Sequence, residues 1–157
     1  MSLTTGTPAP NFSLFDTDKN QVHLADQKGK NVVLLFFPLA FTGVCTTELC
    51  SVRDNIALYN NATATVFGVS VDSLFALGKF KDEQNLNFSL LSDFNKAASK
   101  AFDVLYETFP AFEMQGVAKR SAFVIDKEGV VQYAEICPTP GDLPNFEAIQ
   151  TVLNTLN

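Results

Sequence analysis

Six apolar residues in succession, at positions 32–37, constrain the fold of this chain more than any other feature. An uninterrupted run of this length is typical of a strand that is buried on both faces in the centre of a sheet. Pro38 follows directly and cannot donate to a strand ladder, so we expect the strand to end there. The chain is therefore predicted to build its core around this segment.

A helix is predicted to begin near Cys45 and to run to about residue 59. The residues of its apolar face recur at helical spacings: Leu49, Val52, Ile56 and Tyr59. Thr42 precedes the segment and is of a residue type that caps helix N-termini. Cys45 is thus expected in the first helical turn, where free N–H groups and the helix dipole favour a thiolate. Because the thiolate is the nucleophilic form, Cys45 is a candidate nucleophile, although many buried cysteines are inert packing residues.

The remaining sequence predicts strands that alternate with helices, as in an α/β sheet. Residues 64–71 are apolar and β-branched and predict a second buried strand, parallel to the first. Further predicted elements are a helix capped by Asp72 or Ser73, a strand at 88–91, a helix from 93 to about 102, a loop at 104–119 that packs near the site, and a C-terminal helix from about 146.

Two antiparallel hairpins are also predicted. Residues 12–15 and 21–24 flank a cluster of turn formers, and we expect this hairpin to cover the sheet. Residues 121–125 and 130–136 flank a four-residue connection that ends in Gly. Arg120 would open the first strand of the second hairpin.

Composition limits the classes of partner. Eleven Lys plus Arg against 17 Asp plus Glu give a net charge of −6, which argues against binding to nucleic acid or to an anionic membrane. No segment approaches the ~18 apolar residues of a membrane span, and residues 1–5 lack the pattern of a signal peptide. One domain over residues 1–157 is expected. Three cysteines, an odd number, suit thiol chemistry in a reducing compartment, so we expect a cytoplasmic protein.

The segment that ends at Cys45 resembles the signature of a known family. Residues 38–45, PLAFTGVC, fit the pattern P-x-x-x-T-x-x-C of the peroxiredoxins, which are thiol peroxidases with a thioredoxin-like fold. Three other segments look like peroxiredoxin segments in their usual order: 6–12, 69–73 and 91–93. Residues 44–50 are similar to the bacterioferritin-comigratory (Q-type) branch, and residues 140–144 to the one-Cys AhpE branch.

This resemblance implies both a fold and an activity. The fold would be α/β and thioredoxin-like, with a central mixed sheet flanked by helices and an N-terminal β-hairpin. The activity would be reduction of hydrogen peroxide or organic hydroperoxides, with a thioredoxin- or glutaredoxin-like protein as the reductant and no cofactor. The preferred peroxide, and the choice between monomer and homodimer, stay open.

The resemblance also assigns roles to individual residues. Cys45 would be the peroxidatic nucleophile and would become a sulfenic acid, while Pro38 shields the thiolate. Thr42 would hydrogen-bond the peroxide, and Arg120 would complete the site as a charged donor. Thr42 has the alternative of acting only as a helix cap. Glu48 is a candidate for positioning Arg120, and the alternative is that these two residues only form a surface ion pair.

Cys50 would be the resolving thiol by resemblance to the Q-type branch. On one continuous helix, residues five apart differ by about 140° in direction and ~7.5 Å in rise. Disulfides need Cα atoms ~4.4–6.8 Å apart, so a bond between Cys45 and Cys50 requires the helix to unwind. The alternative is that Cys50 only packs in the core. Cys137 is expected to be structural or an exposed bystander, with a competing role as a second resolving thiol.

Two other functions compete with peroxide reduction. A thiol–disulfide oxidoreductase of the thioredoxin type usually carries C-x-x-C, which is missing here. A non-catalytic thioredoxin-like chaperone or dimerisation module would use its cysteines only for packing. His23 is the only histidine and is expected on a partly exposed strand, which argues against a cysteine hydrolase. No zinc or nucleotide motif is present, so no metal is expected.

Overall fold

The computed structural model describes residues 3–156 and confirms the predicted alternation of strands and helices. The strands are β1 (Ser13–Asp16), β2 (Gln21–His23), β3 (Asn31–Phe36), β4 (Ala64–Ser70), β5 (Ser89–Ser92), β6 (Ser121–Ile125) and β7 (Val131–Ile136). The helices are α1 (Gly43–Asp54), α2 (Ile56–Asn61), α3 (Leu74–Gln84), α4 (Ala97–Ala101) and α5 (Phe146–Thr155), with a short 3₁₀ turn at Leu24–Gln27.

The seven strands within residues 3–156 form one mixed sheet, in the order β2-β1-β5-β4-β3-β6-β7. Strands β3, β4 and β5 run parallel, while β6 is antiparallel to β3 and β7 is antiparallel to β6. Every residue of β3 is buried, which confirms the central strand predicted from the apolar run. The β6–β7 hairpin is also as predicted, and Gly129 supplies the positive φ of 86° that its turn requires.

The N-terminal hairpin differs from its predicted position. Strands β1 and β2 pair with each other as expected, but β1 also pairs antiparallel with β5. The hairpin therefore extends the sheet at its edge instead of covering a face, because β5 leaves an unpaired edge that a further strand satisfies. His23 lies on β2, is partly buried, and its Nδ1 is 2.6 Å from the hydroxyl of Ser13.

Two predicted helices have different bounds in the structure. The single helix expected over residues 45–59 is interrupted at Asn55, which leaves the helical conformation at φ −120° and ψ 21°. The Asn55 side chain donates to the carbonyl of Ser51, the local competition with backbone bonding that makes Asn a poor helix former. The helix expected from residue 93 begins later, at Ala97, although the Asp93 carboxylate does accept the N–H of Ala98 at 2.9 Å.

The core lies in two clusters on opposite faces of the sheet. Alternate side chains of β3 point to each face, with Leu35 in one cluster and Leu34 in the other. Helices α1, α3 and α5 contribute buried residues to the Leu35 side, and α4 contributes to the Leu34 side. Within residues 3–156, no helix is both long enough and apolar enough to cross a bilayer.

Candidate active site

The loop that follows β3 leads into the N-terminus of α1 at the carboxyl end of the parallel strands. The N–H of Ala40 donates to Oδ2 of Asp72 at 2.8 Å, and the hydroxyl of Ser70 donates to the same oxygen at 2.6 Å. Asp72 lies two residues beyond the end of β4, so it ties this loop to the neighbouring parallel strand. The loop at residues 37–42, the site loop, is thus fixed by two adjacent strand ends.

Cys45 occupies the first turn of α1, as the sequence predicts, and it is fully buried. The backbone N–H groups of Gly43, Val44 and Cys45 have no acceptor among residues 3–156. Free N–H groups at a helix N-terminus form an electropositive position that stabilises an anion. The sulfur of Cys45 is therefore held where negative charge is favoured.

Thr42 occupies the N-cap position but does not bond as expected. Its backbone is extended at φ −97° and ψ 153°, yet its side chain does not accept an N–H of α1. The Thr42 hydroxyl instead donates to the carbonyl of Leu39 at 2.8 Å. Its single proton is thus in use in this conformation. Its lone pairs can still accept the O–H of a hydroperoxide.

Arg120 reaches Cys45 although the two residues lie 75 positions apart in the chain. Phe36 at the end of β3 pairs with Ser121 at the start of antiparallel β6, which brings Arg120 beside the site loop. Its Nη2 donates to Sγ of Cys45 at 3.2 Å, and its Nη1 donates to Oε1 of Glu48 at 2.7 Å. The ion pair with Glu48 therefore exists, but it is buried, with side-chain exposures of 2% and 0%, and is not the surface pair considered above.

Burial dominates the electrostatics of this pair. Desolvation raises the pKa of Glu48 to about 7 against the opposing effect of Arg120, and the charge of Glu135 adds to the rise. Burial lowers the pKa of Arg120, but the charges of Glu48 and Cys45 more than offset this, and the pKa of Arg120 lies above its ordinary value. The guanidinium thus stays positive beside the sulfur across the physiological range.

The other two cysteines occupy different environments, and neither is in a disulfide. Cys50 is partly buried on α1, packs against the Leu35-side cluster, and its Sγ lies 3.5 Å from Oε1 of Gln84. Cys137 is buried directly after β7 rather than exposed. Burial and the charge of Glu135 raise the pKa of Cys137 to about 11, so this thiol is protonated at neutral pH.

A cleft of about 290 Å³ opens over Cys45. Its walls include the site loop, Arg120 and three side chains from the loop at 104–119: Phe109, Phe112 and Met114. That loop therefore packs near the site, as predicted. Pro38 is buried and lines the cleft beside the sulfur, in the shielding position that the resemblance implied. Among residues 3–156, no three His, Cys, Asp or Glu side chains are grouped closely enough to hold a metal ion.

Two residues at the site lie outside the sequence-based assignment. The sequence predicts a helix cap at Asp72 or Ser73; in the structure Ser73 caps α3, and Asp72 anchors the site loop. The carbonyl of Pro140 accepts hydrogen bonds from Arg120, a contact that no side-chain pattern reveals because the acceptor belongs to the backbone. The local signals are the T-P-G-D composition of residues 139–142, which is typical of a turn, and the similarity of residues 140–144 to the AhpE branch.

Comparison with known proteins agrees with this geometry. The sequence profile of the AhpC/TSA family matches residues 5–134. Peroxiredoxin Bcp of Bacillus subtilis is 42% identical over 131 residues, covering 82% of each chain. Alkyl hydroperoxide reductase E of Mycobacterium tuberculosis is 36% identical over 144 residues, covering 90% of each chain. The chain is thus similar to both branches that its segments resembled.

Solved structures of peroxiredoxins share the fold. Peroxidoxin BcpB from Mycobacterium tuberculosis superimposes with a TM-score of 0.86 at 25% identity, covering 99% of both chains. Peroxiredoxin Q from Xanthomonas campestris gives a TM-score of 0.81 at 27% identity, covering 92% of this chain and 90% of that one. The predicted thioredoxin-like α/β fold is confirmed. The matches favour peroxide reduction over the oxidoreductase and non-catalytic alternatives.

Proposed function

The chain belongs to the AhpC/TSA family of peroxiredoxins and is a thiol peroxidase, and we propose that Cys45 is the residue that attacks the peroxide. The observation that carries this assignment is the 3.2 Å contact between Nη2 of Arg120 and Sγ of Cys45. A buried, permanently charged donor on the sulfur favours the thiolate and meets the charge that moves onto oxygen during the reaction. Glu48 is proposed to hold that donor in place from its other side.

The proposed reaction is a displacement at oxygen. The Cys45 thiolate attacks the hydroxyl oxygen of the hydroperoxide, a bond forms between sulfur and oxygen, and the O–O bond breaks. Cysteine is oxidised to a sulfenic acid, and the leaving alkoxide or hydroxide takes a proton from solvent. The free N–H groups of α1 and of Arg120 stabilise the developing negative charge, while Thr42 accepts the hydroperoxide O–H. Pro38 limits access of water to the sulfur.

The second step is proposed to use Cys50. Its thiol attacks the sulfenic sulfur of Cys45, a disulfide forms, and the hydroxyl group leaves as water. Peroxiredoxins receive electrons in general from a thioredoxin-type protein. For this chain we infer a dithiol reductant of the thioredoxin or glutaredoxin class, which would return both cysteines to thiols by exchange. The high pKa and burial of Cys137 argue against it as the resolving thiol.

Hydrogen peroxide and organic hydroperoxides are both proposed substrates. Apolar side chains line the cleft beside Cys45, and Phe112 is 88% exposed at its rim. Such a wall can contact the alkyl group of an organic hydroperoxide, and hydrogen peroxide gains nothing from it. An organic hydroperoxide is therefore expected to react at least as fast as hydrogen peroxide.

Intact-mass measurement after one equivalent of oxidant tests the assignment, with hydrogen peroxide and cumene hydroperoxide used in parallel. The wild-type chain should lose the mass of two hydrogens as the Cys45–Cys50 disulfide forms. Cys50→Ser should instead gain one oxygen, and Cys45→Ser should show neither change and no turnover with a dithiol reductant. Turnover by Cys45→Ser near the wild-type rate would remove Cys45 from the mechanism, and a wild-type sulfenic acid that persists would remove Cys50.

Three broader features of the protein are also proposed. A homodimer is supported by exposed aromatic side chains that association could cover: Phe41, Phe75, Phe94 and Phe112. Sedimentation equilibrium would contradict a dimer if it gave the mass of one chain at micromolar concentration.

A cytoplasmic location fits three free cysteines, and fractionation of the source cells would test it. One domain is proposed over residues 1–157, which should unfold in a single cooperative transition.

A further inference from the structure

The loop between β7 and α5 gives Arg120 a third acceptor. The carbonyl oxygen of Pro140 accepts from Nε at 3.3 Å and from Nη2 at 3.1 Å. One oxygen therefore binds two donors on the same edge of the planar guanidinium, which fixes the direction of that edge. With Cys45 and Glu48 of α1, the carbonyl surrounds the guanidinium with three acceptors from two segments of the chain.

The donor count shows why the direction of the guanidinium matters. Arginine has five N–H donors. The bonds of the described residues use the one on Nε, both on Nη2 and one of the two on Nη1. The second N–H of Nη1 has no acceptor within residues 3–156, and Arg120 lines the cleft. That donor is not used by the described residues, and a rotation of the guanidinium would move it together with the donor on Cys45.

A turn closed by Asp142 carries the Pro140 carbonyl. Oδ2 of Asp142 accepts from the N–H of Thr139 at 3.2 Å and from its hydroxyl at 3.1 Å. The N–H of Asp142 donates back to the carbonyl of Thr139 at 3.2 Å. These three bonds span Pro140, whose ring further restricts the backbone. Thr139 and Asp142 are exposed, so these bonds add little to the packing of the core.

Both ends of the loop are also fixed, which leaves the turn as its adjustable part. The N–H of Cys137 donates to the carbonyl of Arg120 at 2.9 Å. At the other end, Oε1 of Glu135 accepts the N–H of Asn145 at 2.9 Å and the hydroxyl of Tyr133 at 2.8 Å. The position of the Pro140 carbonyl therefore depends on the closure between residues 139 and 142.

We propose that Asp142 is a positioning residue for peroxide reduction, because its bonds to Thr139 hold the Pro140 carbonyl on the guanidinium of Arg120. This inference rests on the role proposed above for Arg120. Opening the turn removes the shared acceptor of Nε and Nη2, and the guanidinium can then rotate away from Cys45. Small displacements of a catalytic group cost rate far more than they cost stability.

Asp142→Ala tests the proposal, with Asp126→Ala as a matched control. Asp126 closes the turn at the opposite end of the same hairpin, where its carboxylate accepts the N–H groups of Glu128 and Val130. Asp142→Ala should lower the second-order rate constant for oxidation of Cys45 by about tenfold, while Asp126→Ala should leave it within about twofold. Asp142→Asn keeps an acceptor oxygen for the N–H of Thr139 and should restore most of the rate.

Coupling to Arg120 separates a positioning role from a structural one. In an Arg120→Met background, Asp142→Ala should cause no further loss of rate, since the group it orients is gone. Equal losses with and without Arg120, or equal losses in Asp142→Ala and Asp126→Ala, would overturn the proposal. Thr139→Val replaces the hydroxyl with a methyl group and keeps the backbone N–H that bonds Asp142, so it should give a smaller loss of rate. It is the second variant if Asp142→Ala does not fold.

The same experiment distinguishes failure of this inference from failure of the proposed function. If Arg120→Met is slow and Asp142→Ala retains the wild-type rate, the role of Arg120 stands and Asp142 is only a surface turn residue. If Arg120→Met itself reacts at the wild-type rate, the role of Arg120 is wrong, and the proposal for Asp142 is overturned with it.

Discussion

Glu48 is a buried acid with only one of its two carboxyl oxygens paired. Oε1 accepts from Arg120, while Oε2 is buried and has no hydrogen-bond partner within residues 3–156. Protonation at Oε2 would remove the cost of a buried charge and leave the bond at Oε1 in place. This explains why desolvation raises the pKa of Glu48 to about 7 in spite of the neighbouring guanidinium.

Stability should therefore decrease with pH across the range in which Glu48 titrates. Between its ordinary pKa of 4.5 and about 7, the folded state holds a proton that the unfolded state has released. The contribution of Glu48 to the free energy of unfolding is thus largest below pH 4.5, and it falls as pH rises to about 7. The decrease is at most roughly 3.5 kcal/mol, at about 1.4 kcal/mol per pKa unit. Urea denaturation at several pH values in this range measures it.

Glu48→Gln should flatten this pH dependence, because an amide keeps an acceptor for Arg120 and does not titrate. Glu147→Gln is a suitable control, since Glu147 is an exposed acid in the first turn of α5. The control should retain the wild-type slope. A Glu48→Gln variant with the same slope as wild type would show that another group titrates, and the elevated pKa of Glu48 would be wrong.

At the scale of elements, α1 carries both cysteines of the proposed disulfide on one unbroken helix. Its two ends are held differently. At the C-terminal end, Nη1 of Arg53 donates to the carbonyl of Gln84 at 2.5 Å, and the Asn87 side chain donates to the carbonyl of Arg53 at 3.2 Å. At the N-terminal end, no side chain caps the helix. Unwinding is therefore expected to begin at Gly43 and to stop before Arg53.

Oxidation should expose the amides of the first half of α1 and leave the second half protected. Hydrogen exchange at residues 46–50, whose N–H groups bond within the helix, should increase when the Cys45–Cys50 disulfide forms, because these residues must leave the helix for the sulfurs to meet. Exchange at residues 53–61 should change little. Cys50→Ser is the control and should keep its protection after peroxide treatment while it overoxidises more readily at Cys45. Unchanged exchange in the disulfide form, or a Cys45–Cys137 bridge in peptide mapping, would contradict this.

At the scale of the whole molecule, β3 belongs to both halves of the core. Leu34 and Leu35 are each fully buried, and they point into different clusters on the two faces of the sheet. A defect on either face should therefore weaken the same sheet. The two halves are expected to unfold together as one cooperative unit.

Leu34→Ala and Leu35→Ala should each shift the single unfolding transition to lower urea, with the free energy of unfolding lowered by roughly 2–5 kcal/mol for a buried Leu. Far-ultraviolet circular dichroism reports the backbone, and the near-ultraviolet signal of the three tyrosines, of which Tyr59 is buried in the Leu35-side cluster, reports packing. The two signals should give coincident urea transitions in both variants. Separate transitions, with only one shifted in each variant, would mean that the chain contains two cooperative units.

The sequence by itself determined the features that depend on neighbouring residues. The apolar run at 32–37 followed by Pro38 defined a buried central strand that ends at a proline, and the spacing after Gly43 put Cys45 in a first helical turn. The signature around Cys45 also pointed to thiol peroxidase chemistry before any distance was known. Propensity, periodicity and capping act over a few residues, which is why these predictions agree with the structure.

Only the tertiary structure decided how distant segments meet. The antiparallel register of Phe36 with Ser121 delivers Arg120 to Cys45, and strand register is set by burial over the whole sheet rather than by local pattern. The sequence allowed a surface ion pair between Arg120 and Glu48, whereas in the fold both side chains are buried. This burial raises the pKa of Glu48. The Pro140 carbonyl accepts from Arg120. Every residue has a backbone carbonyl, so the sequence cannot indicate which carbonyl will face the guanidinium, and only the folded chain determines it.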